Sequence, residues 1–184
     1  MMHKRVNELD GVRVLESYKI SDSRGTFTKF HPKDFAYNDF DSIALSVNPN
    51  VGTIRGMHFQ LAPFTEEKIV SCIQGSIFDA AVDLRPESST FGFWMGIELN
   101  PENTLQLFLP KGIAHGFQVL VPNTITHYVI SSPYSAEDSL TINPFFESVI
   151  SWPLDDYKLS ERDRNGMTFK VASDKYQKSI EEFK

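Results

Sequence analysis

The sequence predicts a mostly β protein, a sandwich or barrel of short strands. Three observations predict it. Apolar and polar residues alternate with period two through much of the chain, Gly, Pro and Asn punctuate these runs at short intervals, and helical spacing is confined to short pieces. In SIFDAAVDLR, Phe78, Ala80, Val82 and Leu84 fall on one face and Asp79, Ala81, Asp83 and Arg85 on the other. IVSCI precedes it, and Gln74-Gly75 between the two reads as a hairpin turn. TLQLFLP, GFQVLV and THYVISS also read as strands. Helix is expected for PKDFAY near residue 35 and for SDKYQKSIEEFK at the C-terminus.

Composition narrows the function classes. With 184 residues, 41% apolar and 23% charged, the chain suits one soluble domain over 1–184. That domain divides into an N-terminal arm of about 1–10, a core of about 11–155 and a C-terminal segment of about 156–184. A net charge of −6 argues against a general nucleic-acid binder. No apolar run follows the basic residues of MMHKRVNELDG, so no signal peptide is expected. No stretch approaches a membrane span of roughly 18 apolar residues. The lone Cys72 can form no internal disulfide and reads as a small buried hydrophobe. A cytoplasmic protein is expected.

The five histidines differ in promise. His3, in a terminus expected to fray, and His31, before Pro32, read as surface residues. His127 and Tyr128 are neighbours in a strand and point to opposite faces. His58 and His115 sit among glycines, in RGMHF and PKGIAHGF, where backbone can approach backbone or ligand closely. Pro110, Gly112 and His115 resemble the second motif of the cupins, small jelly-roll barrels. The metal-binding first cupin motif has His-x-His and then Glu, but here the run is His58-Phe59-Gln60, with Glu66 and Glu67 of uncertain register. Two histidines and an uncertain carboxylate fall short of a divalent site, so no metal is expected. His58 is instead a candidate base, given a carboxylate to fix its tautomer and stabilise the cation. By periodicity Asp79 and Asp83 only share a face, and LSERDR alone reads as a solvated charged turn.

The runs DSRGTF, GTIRGMHFQ, EEKIVSCIQGSIFDAAVDLRPESSTFGFWMGIEL, LFLPKGIAHGF and ISWP together resemble the dTDP-4-dehydrorhamnose 3,5-epimerase family over roughly residues 10 to 165. The resemblance implies a metal-free cupin jelly roll, no cofactor, a homodimer and a nucleotide-linked 4-keto-6-deoxy sugar as substrate. It implies epimerisation at C3, C5 or both through an enolate. It assigns His58 as base, Asp163 as its carboxylate, Tyr128 as acid and Lys68 as support for the oxyanion at O4. It assigns Arg55 to the pyrophosphate or the same site, and places Arg24 and His115 near the sugar and diphosphate. Arg162 matches a substrate-contacting position, and Phe27 and Tyr134 match contacts to base or sugar. Gln60 and Asp79 are expected to line the pocket. Two alternatives share these residues: a non-catalytic sugar-nucleotide-binding cupin and a 3,4-ketoisomerase. Without the family, an ion pair with Asp79 or Asp83 is the competing reading for Arg55, and Lys68, at a strand start, reads as a solvated end.

The chain departs from the family in places. Lys29 stands where a Glu is common, Tyr128 is followed by Val129 rather than Lys, and INPFF replaces a WND-type segment. SAEDSLT is short, and Glu137 or Asp138 is left to replace an acidic contact. The loop SVNPNVG resembles a variant branch in which Asn48 touches the sugar. These changes alter the pocket wall and leave the catalytic set intact, so they point to a changed substrate: dTDP, GDP or CDP linked, hexose or heptose.

Overall fold

A computed structural model describes residues 3–30, 40–148 and 150–183. In chain order the strands are β1 (Arg13–Glu16), β2 (Tyr18–Asp22), β3 (Gly25–Lys29), β4 (Ser42–Asn48), β5 (Ile54–Gln60) and β6 (Lys68–Gln74). Then come β7 (Ile77–Asp83), β8 (Trp94–Leu99), β9 (Leu105–Leu109), β10 (Ile113–Val119), β11 (Thr124–Ile130) and β12 (Ser139–Thr141). A 3-10 turn at Phe146–Ser148 and helices α1 (Glu161–Arg164) and α2 (Phe169–Glu182) follow. Two antiparallel five-stranded sheets, ordered β1-β9-β6-β11-β4 and β12-β5-β10-β7-β8, form the cupin-type jelly roll, and β2-β3 is a separate hairpin.

The period-two pattern builds two buried layers. Between the sheets lie Val70, Leu107 and Leu109 from one side and Ile77, Ala81, Ile113 and Phe117 from the other. The opposite face of the second sheet is also covered. Phe78, Ala80, Val82 and Leu84 pack there against Phe146, Ile150, Phe169, Ala172 and Tyr176. This is why every residue of β7 is buried. Helix α2 starts four residues before the expected stretch, capped by Thr168, whose side chain accepts from the Val171 N–H. Burying the Phe169 and Tyr176 rings against the sheet contributes about 2 kcal/mol each.

Two expectations are corrected. Strands β6 and β7 are not a hairpin: they belong to different sheets, and Gly75, at φ +78°, carries the chain from one to the other. A glycine turn between two apolar strands reads the same whether the chain folds back in plane or crosses to the facing sheet. His3 is not a frayed surface residue. Its side chain is 5% exposed, its Nδ1–H donates to the Gly92 carbonyl at 2.8 Å, and its ring meets Phe146 and Phe169 edge-on. PKDFAY and His31 lie outside the described residues.

One irregularity positions the site. On β10, His115 pairs with His58 of β5, whereas Phe117 pairs with Arg55, so β5 carries one extra residue between them. The bulge lets Arg55 and His58, three apart, line the same cavity; a regular strand would turn them to opposite faces. Gly56 makes it possible: its φ is +131°, and a Cβ there would lie 2.5 Å from the Gly116 Cα.

Candidate active site

His58 projects from β5 between the sheets, and its Nε2 lies 2.7 Å from Asp163 Oδ1. The carboxylate arrives from the far end of the chain. Helix α1 is capped by Ser160, whose side chain accepts from the Asp163 N–H at 3.1 Å. The helix is a single turn, and its Asp163 side chain is buried against β5 and β12. Thr141 Oγ1 and the Gly56 N–H also approach the carboxylate, at 3.3 and 3.4 Å. Burial alone would raise the Asp163 pKa. The hydrogen bond and charge of His58, with Ser160 and the Gly56 N–H, outweigh burial and hold it below the usual carboxylate range. LSERDR is therefore more than a solvated turn: its other polar residues are exposed, but Asp163 is buried against His58. Its Ser-x-x-Asp spacing is an N-cap signature that sequence reading left unused.

A second pair stands beside the first. His115 Nε2 lies 2.5 Å from Asp79 Oδ1, and both side chains are almost fully buried. Among the described residues, Asp79 Oδ2 has no hydrogen-bond partner. Tyr128 faces these residues from β11 in the opposite sheet, its ring edge-on to His115 at 6.4 Å between centroids. Burial raises the Tyr128 phenol well above its ordinary pKa, and the Asp79 charge adds to this against the opposing Thr126 hydrogen bond and Arg55 charge. The phenol is thus a neutral O–H donor throughout the neutral range. Its ring neighbour on the strand, His127, points to the outer face of the sheet, as expected from alternation.

These side chains surround two adjoining lobes. The first, about 280 Å³, is lined by Ser46, Arg55, His58, Lys68, His115 and Tyr128, among others. The second, about 230 Å³, is lined by His58, Gln60, Glu66, Lys68, Tyr134 and Arg162, among others. His58 and Lys68 belong to both. Arg55 makes no ion pair with Asp79 or Asp83, which are matched to His115 and Arg85. Its Nε donates to Asn48 Oδ1 at 2.8 Å. Asn48 is 1% exposed and donates to the Ser46 and Thr124 carbonyls, so it stands behind Arg55 and not on the cavity wall. Tyr134 is exposed at the rim of the second lobe. Arg24 and Phe27 line neither lobe: they sit on the exposed β2-β3 hairpin, with Arg24 paired to Asp22. Among the described residues, no group of three His, Cys, Asp or Glu side chains is placed to hold a metal ion. Sequence reading missed the partnership of Asp79 with His115 and that of Glu66 with Lys68. For neither did the sequence carry a pairing signal beyond membership of the matched runs.

A histidine backed by a carboxylate on one wall and a neutral phenol on the facing wall can remove and return a proton at one carbon. The family model described as dTDP-4-dehydrorhamnose 3,5-epimerase matches residues 6–171. This chain belongs to that family. It is 40% identical over 159 residues to the dTDP-4-dehydrorhamnose 3,5-epimerase of Sinorhizobium fredii, covering 83% of this chain and 82% of the relative. The Bacillus anthracis dTDP-4-dehydrorhamnose 3,5-epimerase, solved with TDP and PPi bound, superposes with a TM-score of 0.81 at 37% identity, over 86% of this chain and 94% of that one. A 3'-monoepimerase from Streptomyces bikiniensis, in complex with dTDP-quinovose, superposes with a TM-score of 0.84 at 27% identity, over 98% and 96%. The protein is a sugar-nucleotide epimerase, an isomerase. No described helix is long and apolar enough to cross a membrane.

Proposed function

We propose that this chain inverts C3, C5 or both in a nucleotide-linked 4-keto-6-deoxy sugar, hexose or heptose, through an enolate. The observation that carries the reading is the placement of His58, backed by Asp163 from α1, and the Tyr128 phenol on facing sheets of one cavity. A proton next to a ketone is acidic because its loss gives an enolate. His58 takes that proton from one face, and Asp163 stabilises the imidazolium that results. The Lys68 ammonium supports the developing charge on the ketone oxygen. Tyr128 returns a proton from the opposite face, and the configuration inverts. The scheme needs no redox partner and no cofactor, since only protons move. His115, ordered by Asp79, and Arg55, ordered by Asn48, are the polar walls of the sugar lobe. Arg162, at the second lobe, suits the diphosphate.

The relatives support dTDP as the nucleotide. The monoepimerase likeness favours a second reading, inversion at C3 alone. Proton NMR of products from dTDP-, GDP- and CDP-linked 4-keto sugars separates these: two inverted centres support the double epimerase, and one the single. Unchanged sugars throughout would contradict both, and would favour a binding cupin; a shifted ketone would favour the ketoisomerase.

A homodimer in the cytoplasm, each chain one domain over 1–184, completes the proposal. Ile43, Leu45 and Val47 form an exposed apolar row on β4, which supports a covered face. On this reading the protruding hairpin brings Arg24 and Phe27 to a nucleotide in the other subunit's site. Sedimentation at the 20.9 kDa mass of a single chain would contradict the dimer.

A further inference from the structure

Glu66 is a charge that the proton-transfer scheme does not use. It lies two residues before β6 in the wall of the second lobe, its side chain 12% exposed. Its Oε1 is 2.5 Å from the Lys68 ammonium, itself 14% exposed. Gln60 holds it from behind, its Nε2 donating to Glu66 Oε2 at 3.3 Å. Gln60 is in turn fixed by the Phe64 and Pro133 carbonyls, at 3.0 and 3.2 Å, and by the Ser135 N–H, which donates to its Oε1 at 2.9 Å. The carboxylate is therefore tied to two loops and one strand. Gln60, expected only to line the pocket, spends its amide on this network.

Lys68 stands where the lobes meet. With substrate bound, its ammonium has two anionic destinations: the ketone oxygen, which becomes negative only as the enolate forms, and the diphosphate, which is negative from the start. A poorly hydrated ammonium without a counter-ion moves to the stronger ground-state anion. That tightens substrate binding and does nothing for the barrier. We propose that Glu66 is a positioning residue that holds the Lys68 ammonium between the lobes, so that its charge stays available to the ketone oxygen. This inference rests on the epimerase reading above.

The test is Glu66→Gln, which keeps the side chain's shape and its contact with Gln60, with steady-state kinetics on dTDP-4-keto-6-deoxyglucose. The expected result is kcat about tenfold lower with KM lowered several-fold, because ground-state binding is gained while transition-state support is lost. In a Lys68→Met background the same substitution should change nothing, since Glu66 acts through Lys68. A structural role would lower the melting temperature and act equally in both backgrounds. Unaltered kcat and KM in Glu66→Gln, or equal effects in both backgrounds, would overturn the proposal. If Glu66→Gln does not fold, Glu66→Asp draws the carboxylate back by one methylene and should give a reduced kcat; a wild-type kcat there overturns it too. A wild-type protein that leaves the dTDP-, GDP- and CDP-linked 4-keto sugars all unchanged would sink the epimerase reading instead; activity on any of them supplies the substrate for the test.

Discussion

Asp163→Asn keeps the shape of the side chain and removes its charge. In the proposed scheme, the His58 imidazolium formed on proton abstraction then faces a neutral amide. Charge centres about 4 Å apart interact by ~4 kcal/mol at an effective dielectric of 20. The His58 side chain is 35% exposed, so solvent screens part of this. A loss of about 3 kcal/mol remains, or roughly a hundredfold in the rate of proton abstraction. Deuterium incorporation at the sugar carbons in D2O, followed by proton NMR, measures that step directly. Incorporation within twofold of wild type would refute the charge argument. Stability offers a second handle. Folding lowers the Asp163 pKa, so the unfolded chain binds the proton more tightly. The pair's contribution is then full above the ordinary carboxylate range and fades as pH falls through the lowered folded value. Asp163→Asn should flatten that acid limb in urea unfolding midpoints measured against pH.

Other expectations follow from the same geometry. Tyr128→Phe removes the proposed acid but not the proposed base, so deuterium should still enter with retained configuration while formation of the new stereoisomer falls at least ~100-fold. Equal loss of both by NMR would contradict separate roles. Asp79→Ala strips the buried His115 of its partner and should cost about 3–5 kcal/mol in urea unfolding; a cost under about 1 kcal/mol would place little weight on the pair. Gly56→Ala drives a Cβ toward the Gly116 backbone at a φ of +131°, so thermal melting should drop by several degrees and the Arg55–His58 alignment should fail with it.

Strands β6, β7, β9, β10 and β11 and the two faces of β7 were legible because period two carries them directly: Phe78, Ala80, Val82 and Leu84 face one layer and Ala81 the other, as alternation requires. That both faces are buried was not, since the cover on the second comes from distant segments. Pairing was not legible, because alternation says nothing about which strand lies alongside. Strand β6 therefore looked like the hairpin partner of β7 when it lies in the facing sheet. The bulge at Gly56 hid for a similar reason. Counting by two sends Arg55 and His58 apart, and only the register against β10 shows the extra residue. Asp163 lies 105 positions from His58, and no local pattern links them; the resemblance did. His3 was misjudged because proximity to a terminus was read as exposure, whereas two phenylalanines from distant segments enclose it.

The central claim is that His58 takes the proton from the sugar. The measurement that tests it most directly is deuterium incorporation at C3 and C5 of dTDP-4-keto-6-deoxyglucose in D2O, wild type beside His58→Ala, with folding of both checked by circular dichroism. Incorporation in the wild type and none above the buffer rate in folded His58→Ala is the predicted result. Incorporation at the wild-type rate in the variant would contradict it, and the base would have to be sought elsewhere, first at His115.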